Sequence, residues 1–257
     1  MSSIIITGAA SGIGRATAEL FYKKGWTVGL ADMDETGLKK VQNTMDKKRS
    51  CILPMNVTDS KSVEKALRDF EAFQGNSLDV LFNCAGILQM GNNETIPLKD
   101  QHKIFDINVG GILNCIHYAL PALKQSTVFN SGAHIISMSS ASAVYGTPQL
   151  AAYSASKHAV RALTESLNIE LEPQGIIVSD IMVPYVKTPM VQDAKQQAAS
   201  IEKNGVKVTP EEVAQAVWKA AHGNRVHWQV SPSMYLLSII NWALPFNRKR
   251  LFKLLTN

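Results

Sequence analysis

The chain has 257 residues, 46% of them apolar and 18% charged, with a formal net charge of +5; it can bury one large core, which excludes a disordered chain or a domain stapled by disulfides or metal. Four of the excess positive charges, Arg248, Lys249, Arg250 and Lys253, sit in the C-terminal tail, so the body is near neutral and a broad basic face for nucleic acid is excluded. The cysteines Cys51, Cys84 and Cys115 are odd in number and form no C-x-x-C pair, which reads as buried structural thiols in a reducing cytosol.

Ile4-Ile5-Ile6 runs straight into a glycine-rich turn with no charged leader or cleavage site before it, so a secretion signal is not expected and a cytoplasmic location is. From there short apolar runs alternate with helical segments. Strands are predicted near Ser3–Thr7, Trp26–Asp32, Cys51–Met55, Leu78–Asn83, Ala133–Ser139, Ile176–Val183 and Arg225–Val230. This rhythm predicts an α/β fold, a Rossmann-type, doubly wound, parallel seven-stranded sheet forming a single domain over residues 1–230. The clearest helix follows Ala151, where Ala159, Leu163, Leu167 and Leu171 recur on one face and Pro173 with Gly175 ends it. Sheets of this kind bind ligands beyond the carboxyl ends of their strands.

Directly after the first strand stands Thr7-Gly8-Ala9-Ala10-Ser11-Gly12-Ile13-Gly14. Glycines there let the backbone turn sharply and approach a pyrophosphate, whose charge is met by free N–H groups at the helix N-terminus. The G-x-x-x-G-x-G spacing differs from G-x-G-x-x-G, and a purely structural tight turn is the competing reading. Asp32 ends the second strand, where a carboxylate accepts from both ribose hydroxyls of an adenosine and repels a 2′-phosphate. With Ser at 11 and Met at 33, no cation offsets that repulsion, and NAD is expected over NADP.

Between Lys124 and Lys157 there is no Asp, Glu, Lys or Arg, yet the segment is rich in Ser, Ala, Gly and Tyr; a buried, hydroxyl-lined cleft fits it. Tyr153 and Lys157 lie one helical turn apart, and Ser140 ends the strand that feeds them. To act as a base near neutrality a phenol must lose about 3 pKa units, or about 4 kcal/mol. One ammonium at ~4 Å and an effective dielectric of ~20 supplies about that much, while desolvation opposes it.

With these residues in place the chain resembles the short-chain dehydrogenase/reductase family, from the first strand to about Met190. The resemblance rests on Thr7-Gly8-x-x-x-Gly12-x-Gly14, Asn83-Cys84-Ala85-Gly86, Asn108, Ser140 and Tyr153-x-x-x-Lys157. It implies that Tyr153 is the general acid/base, that Lys157 binds the nicotinamide ribose and lowers the tyrosine pKa, and that Ser140 holds the substrate oxygen. Asn108 is expected to place a water behind Lys157, and Thr188 to contact the carboxamide. Cofactor contacts are also expected from Gly8, Ser11, Gly12, Ile13, Gly14, Asp32, Asn56, Val57, Asn83, Ala85, Gly86, Pro184 and Val186. The family pattern has Asp where Asn56 stands, and Asn56 is expected to accept from the adenine amino group through its amide oxygen. It has Pro-Gly where Pro184-Tyr185 stands, so either the turn differs or Tyr185 walls the substrate pocket.

Residues 191–208, rich in Gln, Ala and Lys, occupy the family's substrate lid, with a solvated helix as the alternative. No histidine pair has metal-ligand spacing, and no metal is expected. Met234 to Phe246 is apolar but too short for a transmembrane helix, and a basic, apolar segment follows to residue 257. This extension over 231–257 is read as a subunit contact or a roof over an apolar substrate, with peripheral membrane contact as the alternative. The expected activity is NAD-linked interconversion of a lipophilic secondary alcohol and its carbonyl, by a homodimer or homotetramer. A catalytically silent NAD(H)-binding sensor or scaffold, and an epimerase or dehydratase, are the competing classes; the latter normally carries a longer substrate domain.

Overall fold

A computed structural model describes residues 2–129, 132–194 and 196–231, and beyond them Met234, Tyr235, Ile239 and Lys253. All seven predicted strands form: β1 (Ser3–Thr7), β2 (Thr27–Asp32), β3 (Ser50–Pro54), β4 (Val80–Asn83), β5 (Ala133–Met138), β6 (Ile176–Met182) and β7 (His227–Gln229). They make one parallel sheet in the order β3-β2-β1-β4-β5-β6-β7. The chain winds outward from β1 to one edge and then from β4 to the other, so the crevice between β1 and β4 is the switch point where such sheets take ligands.

Helices cover both faces, which is why the central strands are apolar on both sides. Ile4 and Ile6 of β1 pack with α1 (Gly12–Lys23), α2 (Glu35–Gln42) and, late in the chain, the helix at Pro210–Ala220. Ile5, on the opposite face, packs with α3 (Ser60–Gln74), the helix at Gly111–Phe129 and the helix at Ala151–Leu171. Between α3 and these lies α4 (Leu98–Phe105), continued by one π-helical turn, Asp106–Gly110, into α5 (Gly111–Phe129). Farther along the described residues come α6 (Ala151–Leu171), α7 (Pro189–Gln192), α8 (Ala199–Asn204) and α9 (Pro210–Ala220).

The predicted inner stripe of α6 needs correction. The helix buries Ser154, Ser156, Lys157, Val160, Thr164 and Leu171, while Ala159, Leu163 and Leu167 are half-buried. Its first turns close over a polar site rather than over core, so polar residues take the inward positions. A short 3₁₀ turn containing Pro173 ends it, and Gly175 takes the left-handed conformation, φ 72°. Farther along, α6 is tied to the sheet edge: His227 Nδ1 is 3.0 Å from Asp180 Oδ1 and its Nε2 is 3.1 Å from Glu165 Oε1.

The cysteines are free, with Cys115 buried and Cys51 and Cys84 half-buried. Burial pushes each thiol up to about 12, so none is a thiolate at neutral pH. Among the described residues no helix is long and apolar enough to cross a membrane. Most of the expected C-terminal extension lies outside the described residues.

Candidate active site

A cavity of about 810 Å³ runs over the carboxyl ends of the strands, from the glycine turn and Asp32 to Met190 and Met234. At the first end the turn is built from backbone. A Cβ on Gly14 would stand 2.1 Å from the Gly8 carbonyl oxygen, and Gly12, at φ 50°, would bring one to 3.2 Å from Thr188 Cγ2. The side chains of Asp34, Asp59 and Thr209 cap α2, α3 and α9, but Ser11 makes no such bond to α1, whose first turn also lacks an acid. The N-terminus of α1 is thus left open to an anion.

Asp32 is fixed by the same turn: Oδ2 accepts from Ala10 N at 3.1 Å and Oδ1 from Asp34 N at 3.0 Å. Each oxygen keeps acceptor capacity for a hydroxyl. The cations lining the cavity among the described residues are Lys157, from α6, and Lys207, beside the Val186–Val208 bridge; neither belongs to the segments around Asp32. A glycine floor that a Cβ would fill, an uncapped helix end and a fixed carboxylate together fit an adenine dinucleotide.

Asn56 departs from expectation. Its Oδ1 already accepts from Thr58 N (3.1 Å) and Thr58 Oγ1 (2.9 Å), so it is spent on the turn into α3 and is not available to a base. Val57 lines the cavity beside it.

At the chemical end, Ser140 follows β5 and accepts from Ser142 N at 3.2 Å. Lys157 Nζ donates to the Met138 carbonyl at 2.8 Å and stands 5.6 Å from the centroid of the Tyr153 ring. Burial pushes the Tyr153 phenol up to about 12, against a hydrogen bond with Ser140 that pulls it back, with Tyr185 adding to the rise. Burial brings Lys157 down to about 8, opposed by Cys84 and Asp180. Contrary to the expectation from sequence, the Lys157 ammonium does not keep this phenol acidic: burial raises it, and Ser140 is the group that lowers it.

Two expected site residues stand behind the wall rather than on it. Asn108, fully buried in the π-helical turn, accepts at Oδ1 from Ile87 N (2.8 Å) and donates through Nδ2 to Ile87 O (3.0 Å) and Ser156 Oγ (3.1 Å). It clamps the loop after β4 onto α6, leaving one acceptor site on Oδ1. Asn83 lies within the sheet and donates to Ser137 Oγ at 3.3 Å, so its side chain does not line the cavity. Gly8, Ser11, Gly12, Ile13, Gly14, Ala85, Gly86, Pro184, Val186 and Thr188 do line it, with Asp32, Ser140, Tyr153 and Lys157.

Tyr185 keeps a negative φ, so no glycine-like turn is needed there. It walls the cavity, and its hydroxyl is 2.7 Å from Ser200 Oγ on α8. The segment around α8 is further held where Gln149 Oε1 accepts from Ala199 N at 2.8 Å, and its Val191, Ala198 and Ile201 pack with Met90 and Leu150. Sequence reasoning missed Leu88, Ser142, Tyr145 and Met138, whose carbonyl seats Lys157; Ser142 and Tyr145 lie in the charge-free segment that signalled a cleft. Met234, inside the predicted extension, is buried against Ala143, Val144 and Met182 and lines the cavity.

The short chain dehydrogenase family matches residues 2–199. Cyclohexanol dehydrogenase of Acinetobacter sp. (strain SE19) is 27% identical over 217 residues, covering 83% of this chain and 84% of that protein. Sulfoacetaldehyde reductase 2 of Chromohalobacter salexigens is 29% identical over 241 residues, covering 90% and 94%. Among solved structures, 3-ketoacyl-(acyl-carrier-protein) reductase from Brucella melitensis, complexed with NADH, superposes with TM-score 0.80 at 25% identity, covering 89% of this chain and 96% of that one. The chain belongs to the short-chain dehydrogenase/reductase family and is an oxidoreductase of CH–OH groups.

Proposed function

We propose that this chain interconverts a lipophilic secondary alcohol and its ketone with NAD(H), using Tyr153 as the general acid/base. The reading is carried by one observation: Ser140, Tyr153 and Lys157 border the same cavity as the open α1 N-terminus and Asp32. Asp32 favours NAD, because among the described residues neither lysine that lines the cavity, Lys157 or Lys207, belongs to the segments around it to offset repulsion of a 2′-phosphate.

Bound in its oxidised form, the nicotinamide supplies the carbon that takes hydride and a positive charge beside the phenol. Ser140 and Tyr153 hold the substrate oxygen between them, and Tyr153 takes its proton as the carbonyl forms. Lys157, seated on the Met138 carbonyl, holds the ribose and passes the proton onward past the remaining acceptor site of Asn108. With the phenol at about 12 and the ammonium at about 8, the proton waits on Tyr153 until a further positive charge arrives.

Leu88, Met190, Val191 and Met234 line the cavity around this group, which suits an apolar substrate, and one relative is named as a dehydrogenase of the cyclic secondary alcohol cyclohexanol. Assembly as a homodimer or homotetramer goes with the reading; Leu113 on α5 and Ile169 on α6 are 46% and 72% exposed. The test is an NAD⁺-reduction screen over secondary alcohols of graded lipophilicity, cyclohexanol included, repeated with NADP⁺. Rates that rise with lipophilicity and favour NAD⁺ are expected; no NADH from any alcohol would overturn the reading.

A further inference from the structure

Between α6 and the sheet lies a buried acid that the proposed chemistry does not use. Ile176 and Val178 of β6 pack in one cluster with Val160 and Leu171 of α6, and side chains alternate along a strand, so Asp180 faces the same helix. That helix presents Lys157, Arg161 and Glu165 at successive turns. Asp180 is 0% exposed. Its Oδ1 is 3.0 Å from His227 Nδ1, while His227 Nε2 is 3.1 Å from Glu165 Oε1, to which Arg161 Nε also donates at 2.9 Å. With a carboxylate oxygen at each ring nitrogen, His227 is placed to carry both protons. Asp180 Oδ2 is buried with no partner among the described residues.

We propose that Asp180, held by His227, is a positioning residue for the reaction: its buried carboxylate is the counter-charge that keeps Lys157 a cation. The inference rests on the role given to Lys157 above. Lys157 is 5% exposed, and among the described residues its Nζ bonds one neutral acceptor, the Met138 carbonyl. Burial of this kind drives an ammonium toward its uncharged form unless an anion stands near. Burial lowers Lys157, and Cys84 and Asp180 oppose it. The Cys84 thiol, pushed up to about 12, carries no charge at neutral pH, which leaves Asp180 as the anion acting there. Burial raises the Asp180 carboxyl in turn, and the hydrogen bond and charge of His227 bring it part of the way back. His227 thus holds Asp180 ionised, and Asp180 holds Lys157 protonated.

The experiment follows the titration of the Lys157 Nζ by NMR in the full chain labelled at lysine, with the signal assigned by its loss in Lys157→Met. No coenzyme or substrate is needed. The native group is expected to titrate at about 8, Asp180→Asn to lower it by roughly one pH unit or more, and Glu165→Gln, which removes an exposed carboxylate from the same cluster, to leave it nearly unchanged. No downward shift in Asp180→Asn, or an equal shift in Glu165→Gln, overturns the proposal. If Asp180→Asn does not fold, the native titration decides, and a Lys157 that is uncharged at neutral pH overturns it. A second readout is the kcat of Asp180→Asn relative to the native chain, on the best alcohol from the screen. This ratio is expected to fall roughly tenfold between about pH 6 and about pH 9, whereas a purely structural loss would lower it equally throughout. A shifted titration with a ratio flat in pH overturns the role given to Lys157 and this inference with it.

Discussion

The two ends of the cavity are built on different terms. At the adenosine end, around β1 to β3, the work is done by backbone: glycines that leave room, an uncapped helix terminus, and an Asp32 carboxylate anchored by two N–H groups. At the chemical end, around β4 to β6, it is done by buried side chains whose polar atoms are not all satisfied. Ser139 Oγ, at the carboxyl end of β5 and on the cavity lining, is buried without a partner. Tyr153 and Lys157 are each displaced from their ordinary pKa by burial. One end is preorganised at little cost; the other stores a desolvation cost that ligands must offset, which is common where chemistry occurs.

Substitutions can break this contrast. Asp32→Ala removes the charge that excludes a 2′-phosphate, and the preference for NAD over NADP is expected to fall by about one order of magnitude or more. Dissociation constants for both coenzymes measure it, and an unchanged preference would deny the adenosine end its role. Tyr185→Phe cuts the link to Ser200 at the other end. Loss of a bond worth about 1 kcal/mol raises the substrate KM roughly fivefold with kcat nearly constant, and steady-state kinetics separate the two.

The smallest effect is on stability. Burial lowers the His227 pKa, but the hydrogen bond and charge of Asp180, with Glu165, outweigh it and leave the group above its ordinary value. Burial raises Asp180, partly offset by His227. Both groups favour protonation in the fold, so their linkage has one sign: the stability from His227 is complete below its unfolded pKa of about 6.5 and is lost as pH rises through its higher folded value. Thermal melts of the native chain and His227→Gln should differ most near pH 6 and converge toward pH 9; a gap that widens with pH contradicts this.

The strands were legible because a parallel sheet buried on both faces leaves uninterrupted apolar runs between turn residues, and each observed boundary falls within two residues of the predicted one. The glycine turn, Asp32, Ser140, Tyr153 and Lys157 were legible because their spacing is tied to strand ends and helix turns. What escaped the sequence depends on tertiary partners. That Thr58 occupies both acceptor sites of Asn56, that Met138 offers a carbonyl to Lys157, and that a π-helical turn swings Asn108 onto Ile87 are set by contacts that no local period encodes. The polar inner face of α6 misled the apolar-stripe rule for the same reason, since its neighbour there is the site.

If Tyr153 moves the proton while other groups hold the ligands, Tyr153→Phe separates the two roles. Removing one hydroxyl leaves the packing intact and takes away only the acid/base group. Turnover on the best alcohol found by the screen is expected to fall by roughly 10²- to 10⁴-fold, with the dissociation constant for NADH changed by no more than about threefold. Turnover close to the native rate, with NADH affinity intact, would contradict it.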